Sequence, residues 1–268
     1  MNIVFECSVA RTGSQLLKNI LKQNKDLAIQ SDSPLHSRFV NFRDGFKMEY
    51  GSVTIDSEQL TKSFNSFWLE GLKGWGKSIN PKAKVYIEHS RNWADDIYTI
   101  INSFKCKIII VIRDIKDVVN SLDTIAKKYP ELNTDLQKIY TYKHTSQFQR
   151  MLKYLEADLI RVPLTAIKTI IEEDLFKNVH FVKYEDLVKT PQKELDKLYK
   201  FLELKSYKHD FENIKSLDRI DTPFMPWGKH SVHTSYSTFK KEKRQLNDDV
   251  IDFIDKEFKW YYDQFYKE

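Results

Sequence analysis

The chain has 268 residues, of which 41% are hydrophobic and 30% are charged, as is typical of a soluble globular protein. Its net charge is +5, from 43 lysines and arginines against 38 acidic residues. This mild basic excess fits an anionic ligand or an acidic acceptor, and it is far too small for a polybasic nucleic-acid binder.

The apolar runs in the sequence are short. No apolar run approaches the roughly 20 residues needed to cross a bilayer, and a strand predicted to begin at residue 3 leaves no room for a signal peptide. Cys7 and Cys106 lie in or beside predicted core strands, which favours buried free thiols over a disulfide or a metal site. We therefore expect a soluble, cytoplasmic protein without a membrane partner. The chain has no repeat and no linker, so residues 1–268 are predicted to form a single domain.

The first motif combines a strand, a short loop and a helix. Residues 3–5 (Ile-Val-Phe) predict the strand, and residues 15–21, with leucines at helical spacing, predict the helix. Between them lies the polar segment Ala10–Ser14. Such a connection presents backbone amides and the positive end of a helix to an anion. Arg11 adds a guanidinium fork that suits phosphate or sulfate oxygens.

This loop differs from a Walker A loop. That motif needs two glycines and a lysine before the final serine or threonine, whereas the present loop has only Gly13 and no lysine before Ser14. The alternative interpretation is an ordinary turn, in which the side chain of Thr12 or Ser14 caps the helix.

A second strand is predicted at residues 26–30, and Asp32 follows it. Carboxylates beyond strand ends often line the clefts of α/β proteins, although a turn residue before a proline is the commoner role. Residues 36–56 are rich in aromatic side chains and are expected to be irregular, either as an acceptor-binding loop or as a packed excursion. Residues 58–73 predict an amphipathic helix.

The third strand is predicted within residues 84–93, and His89 lies at its end. A lone histidine is more often structural than catalytic. This one, however, follows a strand that opens toward the same edge as the anion-binding loop. A helix that turns Trp93 and Ile97 inward is expected next.

Residues 108–112 form a continuous apolar run, as expected of a central parallel strand covered on both faces. Arg113 follows this strand, and Ser121 comes eight residues later, two turns into the next predicted helix. Together they could bind one phosphate group. The alternative is that Arg113 forms a salt bridge and that Ser121 is an ordinary helix-surface residue.

The second half of the chain begins with helices predicted over residues 134–158 and from Pro163 to Leu175. Residues 179–204 then predict a strand, the sequence Tyr184-Glu-Asp-Leu, and a helix that starts at a proline. A final helix is predicted over residues 246–264.

Residues 216–240 have few apolar anchors and carry Lys229 and His230. These two residues are weaker candidates for phosphate contacts, and a solvated basic loop is an equal alternative.

Three of these segments, residues 10–17, 107–122 and 179–204, together resemble the sulfotransferase superfamily that uses 3′-phosphoadenosine 5′-phosphosulfate (PAPS). The likeness spans roughly residues 1–235 and is to bacterial-type and protein-tyrosine sulfotransferases. It implies an α/β fold, a three-layer P-loop-like sandwich with a central, mostly parallel sheet, and ligand binding at the carboxyl ends of the strands.

The resemblance also implies roles for individual residues. The 5′-phosphosulfate-binding loop would comprise Arg11, Thr12, Gly13, Ser14, Gln15 and Leu16. Arg113 and Ser121 would bind the 3′-phosphate, and Tyr184 would contact the nucleotide base. Lys229 and His230 would belong to a segment that closes over the nucleotide. The loop departs from the family pattern at Gln15, which removes a hydroxyl donor, and also at Thr12 and Ala10.

The implied reaction transfers a sulfuryl group from PAPS to an acceptor hydroxyl or amine and releases adenosine 3′,5′-bisphosphate, without a metal. Arg11 would stabilise the developing charge. Two residues match the general bases of different relatives. His89 lies where the cytosolic sulfotransferases have a histidine base, and Asp32 lies where the protein-tyrosine sulfotransferases have a glutamate base. We favour Asp32 as base, with His89 polarising the sulfuryl group.

Two other functions stay open. A nucleotide-dependent kinase would require Mg²⁺, and the missing loop lysine argues against it. A non-catalytic nucleotide-binding protein would bind the bisphosphate without turnover, and the intact Arg11, Arg113 and Ser121 argue against it. The acceptor could be a peptide tyrosine, a carbohydrate or a small alcohol, and the sequence does not indicate an oligomeric state.

Overall fold

A computed structural model of the protein describes residues 1–30, 33–50, 57–128, 145–215 and 243–267. The strands are β1 (Asn2–Glu6), β2 (Leu27–Ile29), β3 (Val85–His89), β4 (Lys107–Ile112) and β5 (Val179–Lys183). The helices are α1 (Ser14–Leu21), α2 (Leu35–Tyr50), α3 (Ser57–Ile79), α4 (Ile115–Lys128), α5 (Gln147–Glu156), α6 (Asp158–Glu172), α7 (Tyr184–Lys189), α8 (Pro191–Phe201), α9 (Asp248–Glu257) and α10 (Lys259–Phe265). Short 3-10 helices cover Arg91–Asp96 and Leu175–Asn178, and a π-helical turn covers Thr99–Ser103.

The five strands form one sheet in the order β2-β3-β1-β4-β5, and every pairing is parallel. All strands therefore end at the same edge of the sheet. Because β1 is the central strand, the loop that follows it lies between the end of β3 and the end of β4. Within the β1–β3 pair, Glu6 is directly opposite His89.

Side chains alternate between two apolar cores, one on each face of the sheet. On the first face, called here the α1 face, Val4 and Ile109 pack with buried residues of α1 and α8. On the second face, called the α6 face, Phe5 and Ile108 pack with buried residues of α4, α6 and α9. Helices thus cover both faces, which confirms the predicted three-layer α/β sandwich around a parallel sheet.

The prediction that residues 36–56 are irregular is wrong for the first part of this region. Residues Leu35–Tyr50 form the helix α2. The aromatic side chain of Phe39 is fully buried and lies with its ring centroid 5.2 Å from that of Trp93. Tertiary packing of this aromatic face stabilises a helix whose sequence pattern alone is weak.

The predicted helix start at Pro163 is also wrong, because α6 begins five residues earlier, at Asp158. A proline inside a helix lacks the N–H that would bond to the carbonyl four residues before it. In this chain the carbonyl of Leu159 instead accepts a hydrogen bond from the backbone N–H of Ala10, over 3.2 Å. The proline therefore leaves a carbonyl available to the loop after β1.

The remaining helix predictions differ in their boundaries. The last helix is divided at Phe258 into α9 and α10. Within the predicted helix 134–158, residues 145–158 are described, and α5 covers Gln147–Glu156. Cys7 and Cys106 are buried free thiols, as predicted. Across the described residues, no helix has the length and apolar character that would let it traverse a bilayer.

Candidate active site

The loop after β1 has an unusual backbone. Arg11 and Gly13 both have left-handed dihedral angles, with φ of 68° and 96°. The buried Thr12 donates its hydroxyl to the carbonyl of Val9 over 2.7 Å, and this bond shapes the turn. The helix α1 then begins, with its first bond from Leu17 N to Gly13 O at 3.1 Å.

The start of α1 has Gly13 as its N-cap, and no side chain of the described residues caps it. The interpretation that Thr12 or Ser14 caps the helix is therefore wrong. The amides of residues 14–16 precede Leu17 N, the first amide that donates within the helix, and they carry the positive end of the helix dipole. Such amides are the usual donors to an anion at a helix N-terminus.

Gly13 also allows close packing. A Cβ built on it would lie 2.4 Å from Cδ2 and 2.7 Å from Cε2 of the Tyr184 ring. Only a glycine accommodates both this contact and the φ of 96°. Tyr184, at the first turn of α7, is thereby fixed against the loop.

Two arginines and a serine meet beside this loop. Arg11 donates from Nε to Oγ of the buried Ser121 over 3.1 Å. Arg113 donates from Nη1 to the carbonyl of Arg11 over 3.0 Å. Its guanidinium carbon lies 4.5 Å from the ring centroid of Tyr184, in a cation–π arrangement. The structure thus brings together Arg11, Arg113, Ser121 and Tyr184, which the sequence had singled out separately.

Arg113 retains hydrogen-bonding capacity. Its buried Nε has no hydrogen-bond partner among the described residues. A buried donor without an acceptor is costly in free energy. A phosphate or sulfate oxygen would satisfy this donor, so the residues present fit an anionic ligand.

Sequence reasoning missed the residues that hold Arg113 in place. Its backbone N–H donates to the hydroxyl of Tyr261 (3.2 Å), which in turn donates to its carbonyl (3.0 Å). The next residue, Asp114, accepts from Tyr262 (2.8 Å) and pairs with Arg244. Its backbone N–H donates to Glu185 (3.1 Å). The cluster of tyrosines in α10 was the available sequence signal for these contacts.

His89, at the end of β3, is buried, with 5% of its surface exposed. Its Nδ1 makes a short hydrogen bond to Oε2 of Glu6, the last residue of β1. Burial acts to raise the pKa of Glu6, but its interactions with His89 and with the buried Lys18 of α1 outweigh burial and lower that pKa. Neither Glu6 nor Lys18 was predicted, although a carboxylate at a strand end is a recognisable signal.

The other predicted site residues fall into two groups. Gln15 donates its side-chain amide to Asn19 over 3.3 Å, and the Leu16 side chain is buried in the core of the α1 face. Their side chains are thus engaged within the protein, and their backbone amides, in the first turn of α1, are the groups that could donate to an anion. Asp32, Lys229 and His230 lie outside the described residues. The described neighbour of Asp32, Ser33, donates its N–H to the carbonyl of His89 over 3.2 Å.

Metal-ligating side chains do not cluster in the described part of the chain: no three His, Cys, Asp or Glu residues there could hold a metal ion. The donors at the site are instead two guanidinium groups, a hydroxyl and backbone amides. This donor set suits a polyanion.

The comparisons with known proteins agree with this geometry. The family model described as a sulfotransferase domain matches residues 3–266. The chain belongs to the sulfotransferase family. A Caenorhabditis briggsae protein with the provisional name protein-tyrosine sulfotransferase is 23% identical over 265 residues, covering 94% of this chain and 87% of that protein.

Solved sulfotransferase structures share the fold. The sulfotransferase domain from the curacin biosynthetic pathway superposes with a TM-score of 0.52 at 17% identity, covering 95% of this chain and 96% of that one. A sulfotransferase from Alicyclobacillus acidocaldarius gives 0.50 at 14% identity, with 97% and 92% covered. One from Mycobacterium avium gives 0.52 at 11% identity, with 100% and 77% covered. These similarities establish the P-loop-like sulfotransferase fold.

Proposed function

We propose that this sulfotransferase takes PAPS as its donor and transfers the sulfuryl group to an acceptor hydroxyl or amine. The acceptor atom attacks sulfur in line with the bond to the 5′-phosphate oxygen. That sulfur–oxygen bond breaks, adenosine 3′,5′-bisphosphate leaves with the electron pair, and the acceptor proton passes to a base. The chemistry asks the protein mainly for positioning and for stabilisation of charge.

The observation that carries this proposal is the junction of Arg11, Arg113 and Ser121. Arg11 donates to Ser121 at 3.1 Å, Arg113 donates to the Arg11 carbonyl at 3.0 Å, and Nε of Arg113 is buried without a described partner. A donor with phosphates at both its 3′ and 5′ positions needs two separate anion sites. The loop and α1 would hold the 5′-phosphosulfate, and Arg113 with Ser121 would hold the 3′-phosphate.

Loop residues would contribute in different ways. The hydroxyl proton of Thr12 is committed to Val9 O, so Thr12 would act through its backbone amide and through the shape of the turn. The amides of Gly13, Ser14, Gln15 and Leu16 would bind the 5′-phosphosulfate. Tyr184, which packs on both Gly13 and Arg113, would offer the rest of its ring to the nucleotide base. Lys229 and His230 remain our weaker candidates for further phosphate contacts.

The acceptor proton has two candidate bases, and we favour Asp32. A carboxylate accepts a proton from a hydroxyl if it lies within hydrogen-bond reach of it. His89 would then polarise the sulfuryl group. The bond between Ser33 N and His89 O brings the chain immediately after Asp32 to the end of β3, which supports a shared role.

Peptide tyrosine is the acceptor that we would test first. The Caenorhabditis briggsae relative is named for that acceptor, and the net charge of +5 suits an acidic peptide. Carbohydrates and small alcohols follow as the next two classes. We expect the enzyme to act in the cytoplasm. We also expect it to need no metal, and turnover should therefore persist in the presence of EDTA.

A thermal-shift titration tests the nucleotide site before any acceptor is known. Adenosine 3′,5′-bisphosphate at 100 times its dissociation constant should stabilise the folded chain by about 2.7 kcal/mol. ATP with Mg²⁺, run in parallel, should give no comparable shift. A shift with ATP alone would favour a kinase instead. Binding of the bisphosphate without turnover of PAPS on any acceptor class would favour a non-catalytic protein.

A further inference from the structure

A chain of hydrogen bonds joins the ends of the three central strands on the α1 face. The backbone N–H of Val111 in β4 donates to Oγ of Ser8 over 2.6 Å. Ser8 then donates its hydroxyl proton to Oε1 of Glu6, whose other oxygen, Oε2, bonds to Nδ1 of His89. Each oxygen of the Glu6 carboxylate therefore has a defined partner.

The surroundings of Glu6 exclude solvent. Glu6 is 1% exposed, Ser8 is 3% exposed and Lys18 is 1% exposed. A carboxylate so deeply buried is expensive unless it is paired and hydrogen-bonded. His89 and Lys18 together lower the pKa of Glu6 despite its burial, so the carboxylate stays ionised.

The backbone around His89 is fixed as well. Ser33 donates its N–H to the carbonyl of His89, and Ser90 donates its N–H to the carbonyl of Glu6, both over 3.2 Å. Glu6 and His89 are also register partners across β1 and β3. The side chain of His89 is thus tied to the central strand, and its main chain is fixed by the segment after β2 and by the pairing of β3 with β1.

A hydrogen bond at one imidazole nitrogen decides what the other can do. When the neutral ring donates its Nδ1–H to the carboxylate of Glu6, Nε2 carries the lone pair of the ring. If the ring is protonated, both nitrogens carry a proton and Nδ1–H still donates to Glu6. In either state Nδ1 is engaged by Glu6, so any part that His89 takes in the transfer must come through Nε2.

We propose that Glu6 is a positioning residue, which holds His89 through Nδ1 and so presents Nε2 to the sulfuryl group or the acceptor. This inference rests on the proposed function, because it assumes that His89 takes part in the transfer. Glu6 does not itself touch a substrate. It acts through the orientation and the tautomer of the imidazole.

The competing explanation is a structural staple, in which Glu6 and His89 only join two strands. The substitution Glu6→Gln distinguishes these two explanations, because glutamine keeps the size of the side chain and one oxygen but removes the charge. We expect kcat to fall about 10- to 100-fold, with the KM of the acceptor and the affinity for adenosine 3′,5′-bisphosphate within two-fold of wild type.

A double-mutant cycle makes this test specific. If Glu6 acts through His89, then Glu6→Gln combined with His89→Ala should have the same kcat as His89→Ala alone. If the fold losses in kcat of the two single variants instead multiplied in the double variant, Glu6 would act by another route and the inference would be overturned. An unchanged kcat in Glu6→Gln with a lowered melting temperature would establish the staple.

Glu88 provides a matched control. It is a fully buried carboxylate one residue before His89, but it lies on the α6 face and accepts from Tyr86 and from Trp93 Nε1 (3.1 Å). Glu88→Gln should leave kcat within two-fold of wild type. A loss as large as that of Glu6→Gln would mean that any buried charge near the end of β3 matters, and it would overturn the specific role.

The tautomer can be read without any acceptor. In protein labelled with ¹⁵N-histidine, the His89 signals, assigned with His89→Ala, should show a proton on Nδ1 when the ring is neutral. Glu6→Gln should shift this equilibrium. A wild-type ring protonated at Nε2 alone would overturn the inference even if the variants fold poorly. The expected tautomer in a protein that transfers no sulfuryl group would count against the proposed function and not against the Glu6–His89 coupling.

Discussion

Arg11 Nε donates to Ser121 Oγ over 3.1 Å, across 110 residues of sequence. This bond joins the loop after β1 to the helix after β4. Arg113 closes the arrangement from the other side, because its Nη1 donates to the carbonyl of the same Arg11. Both guanidinium groups are therefore positioned by the protein before a ligand arrives, which reduces the ordering cost of binding.

Arg113→Ala should weaken the binding of adenosine 3′,5′-bisphosphate. A charge-assisted, bidentate contact is typically worth roughly 1.5–3 kcal/mol, or about 10- to 150-fold in the dissociation constant. Isothermal titration calorimetry measures this directly. Arg161→Ala is the control, since Arg161 is an exposed arginine of α6 paired with Asp158. Equal affinities for wild type and Arg113→Ala would remove Arg113 from the site.

Arg11→Ala should affect turnover more than binding. If Arg11 acts mainly on charge that develops in the transition state, kcat should fall by at least ten-fold more than the affinity for the bisphosphate. Steady-state kinetics with PAPS and calorimetry with the bisphosphate provide the two numbers. Equal losses in both would make Arg11 a binding residue only.

The site residues that the sequence could predict are those that follow a recognisable strand. Arg11, Arg113 and Tyr184 each follow a strand, and the ends of parallel strands share one edge of the sheet. An apolar run followed by a polar residue is visible without any knowledge of tertiary structure. The order of strands then brings these residues together.

The missed contacts depend on strand order and on distant segments. Glu6 and His89 are 83 residues apart, and they meet only because β3 pairs directly with β1. Asp114 and Arg244 are 130 residues apart. The helix α2 was missed because the burial of Phe39 against Trp93, rather than local propensity, stabilises it. Long-range pairing of this kind leaves no periodic signal.

Gly13→Ala should damage both the fold and the site. The left-handed φ of 96° costs an alanine roughly 1–2 kcal/mol, and the new Cβ would force the ring of Tyr184 to move. We expect a lower free energy of unfolding in urea and at least ten-fold weaker binding of the bisphosphate.

Gly74→Ala is the matched control for this substitution. Gly74 lies inside α3, and a Cβ on it would meet no atom within 4 Å. An alanine there should stabilise the helix by about 0.5–1 kcal/mol and leave binding unchanged. If Gly13→Ala behaved in the same way, the packing of Tyr184 on the loop would be unimportant.

The two candidate bases can be separated by pH–rate profiles. Asp32→Asn should abolish the acidic limb of the profile and lower kcat by at least 100-fold. His89→Ala should lower kcat at all pH values while keeping the shape of that limb. Full activity of Asp32→Asn would show that the base assignment is wrong and would leave His89 as the base.

His209 should make the fold sensitive to acid. It is 5% exposed and shares a hydrogen bond of 2.9 Å between its Nε2 and the hydroxyl of Tyr199. Burial lowers the pKa of His209 from 6.5 to about 4. Above pH 6.5 the ring is neutral in both the folded and the unfolded chain, so it contributes no pH dependence there.

Between pH 6.5 and about 4, the unfolded chain binds a proton that the folded chain does not. The free energy of unfolding should therefore decrease as the pH is lowered from 6.5 to about 4, by roughly 3 kcal/mol in total. His209→Phe keeps an aromatic ring beside Tyr199 but cannot titrate, so its stability should fall less steeply over the same range. Burial also lowers the pKa of His180, which supplies a residual slope in both proteins. Urea unfolding at pH 7 and at pH 4.5 measures the difference, and parallel slopes for wild type and His209→Phe would show that His209 is not held neutral.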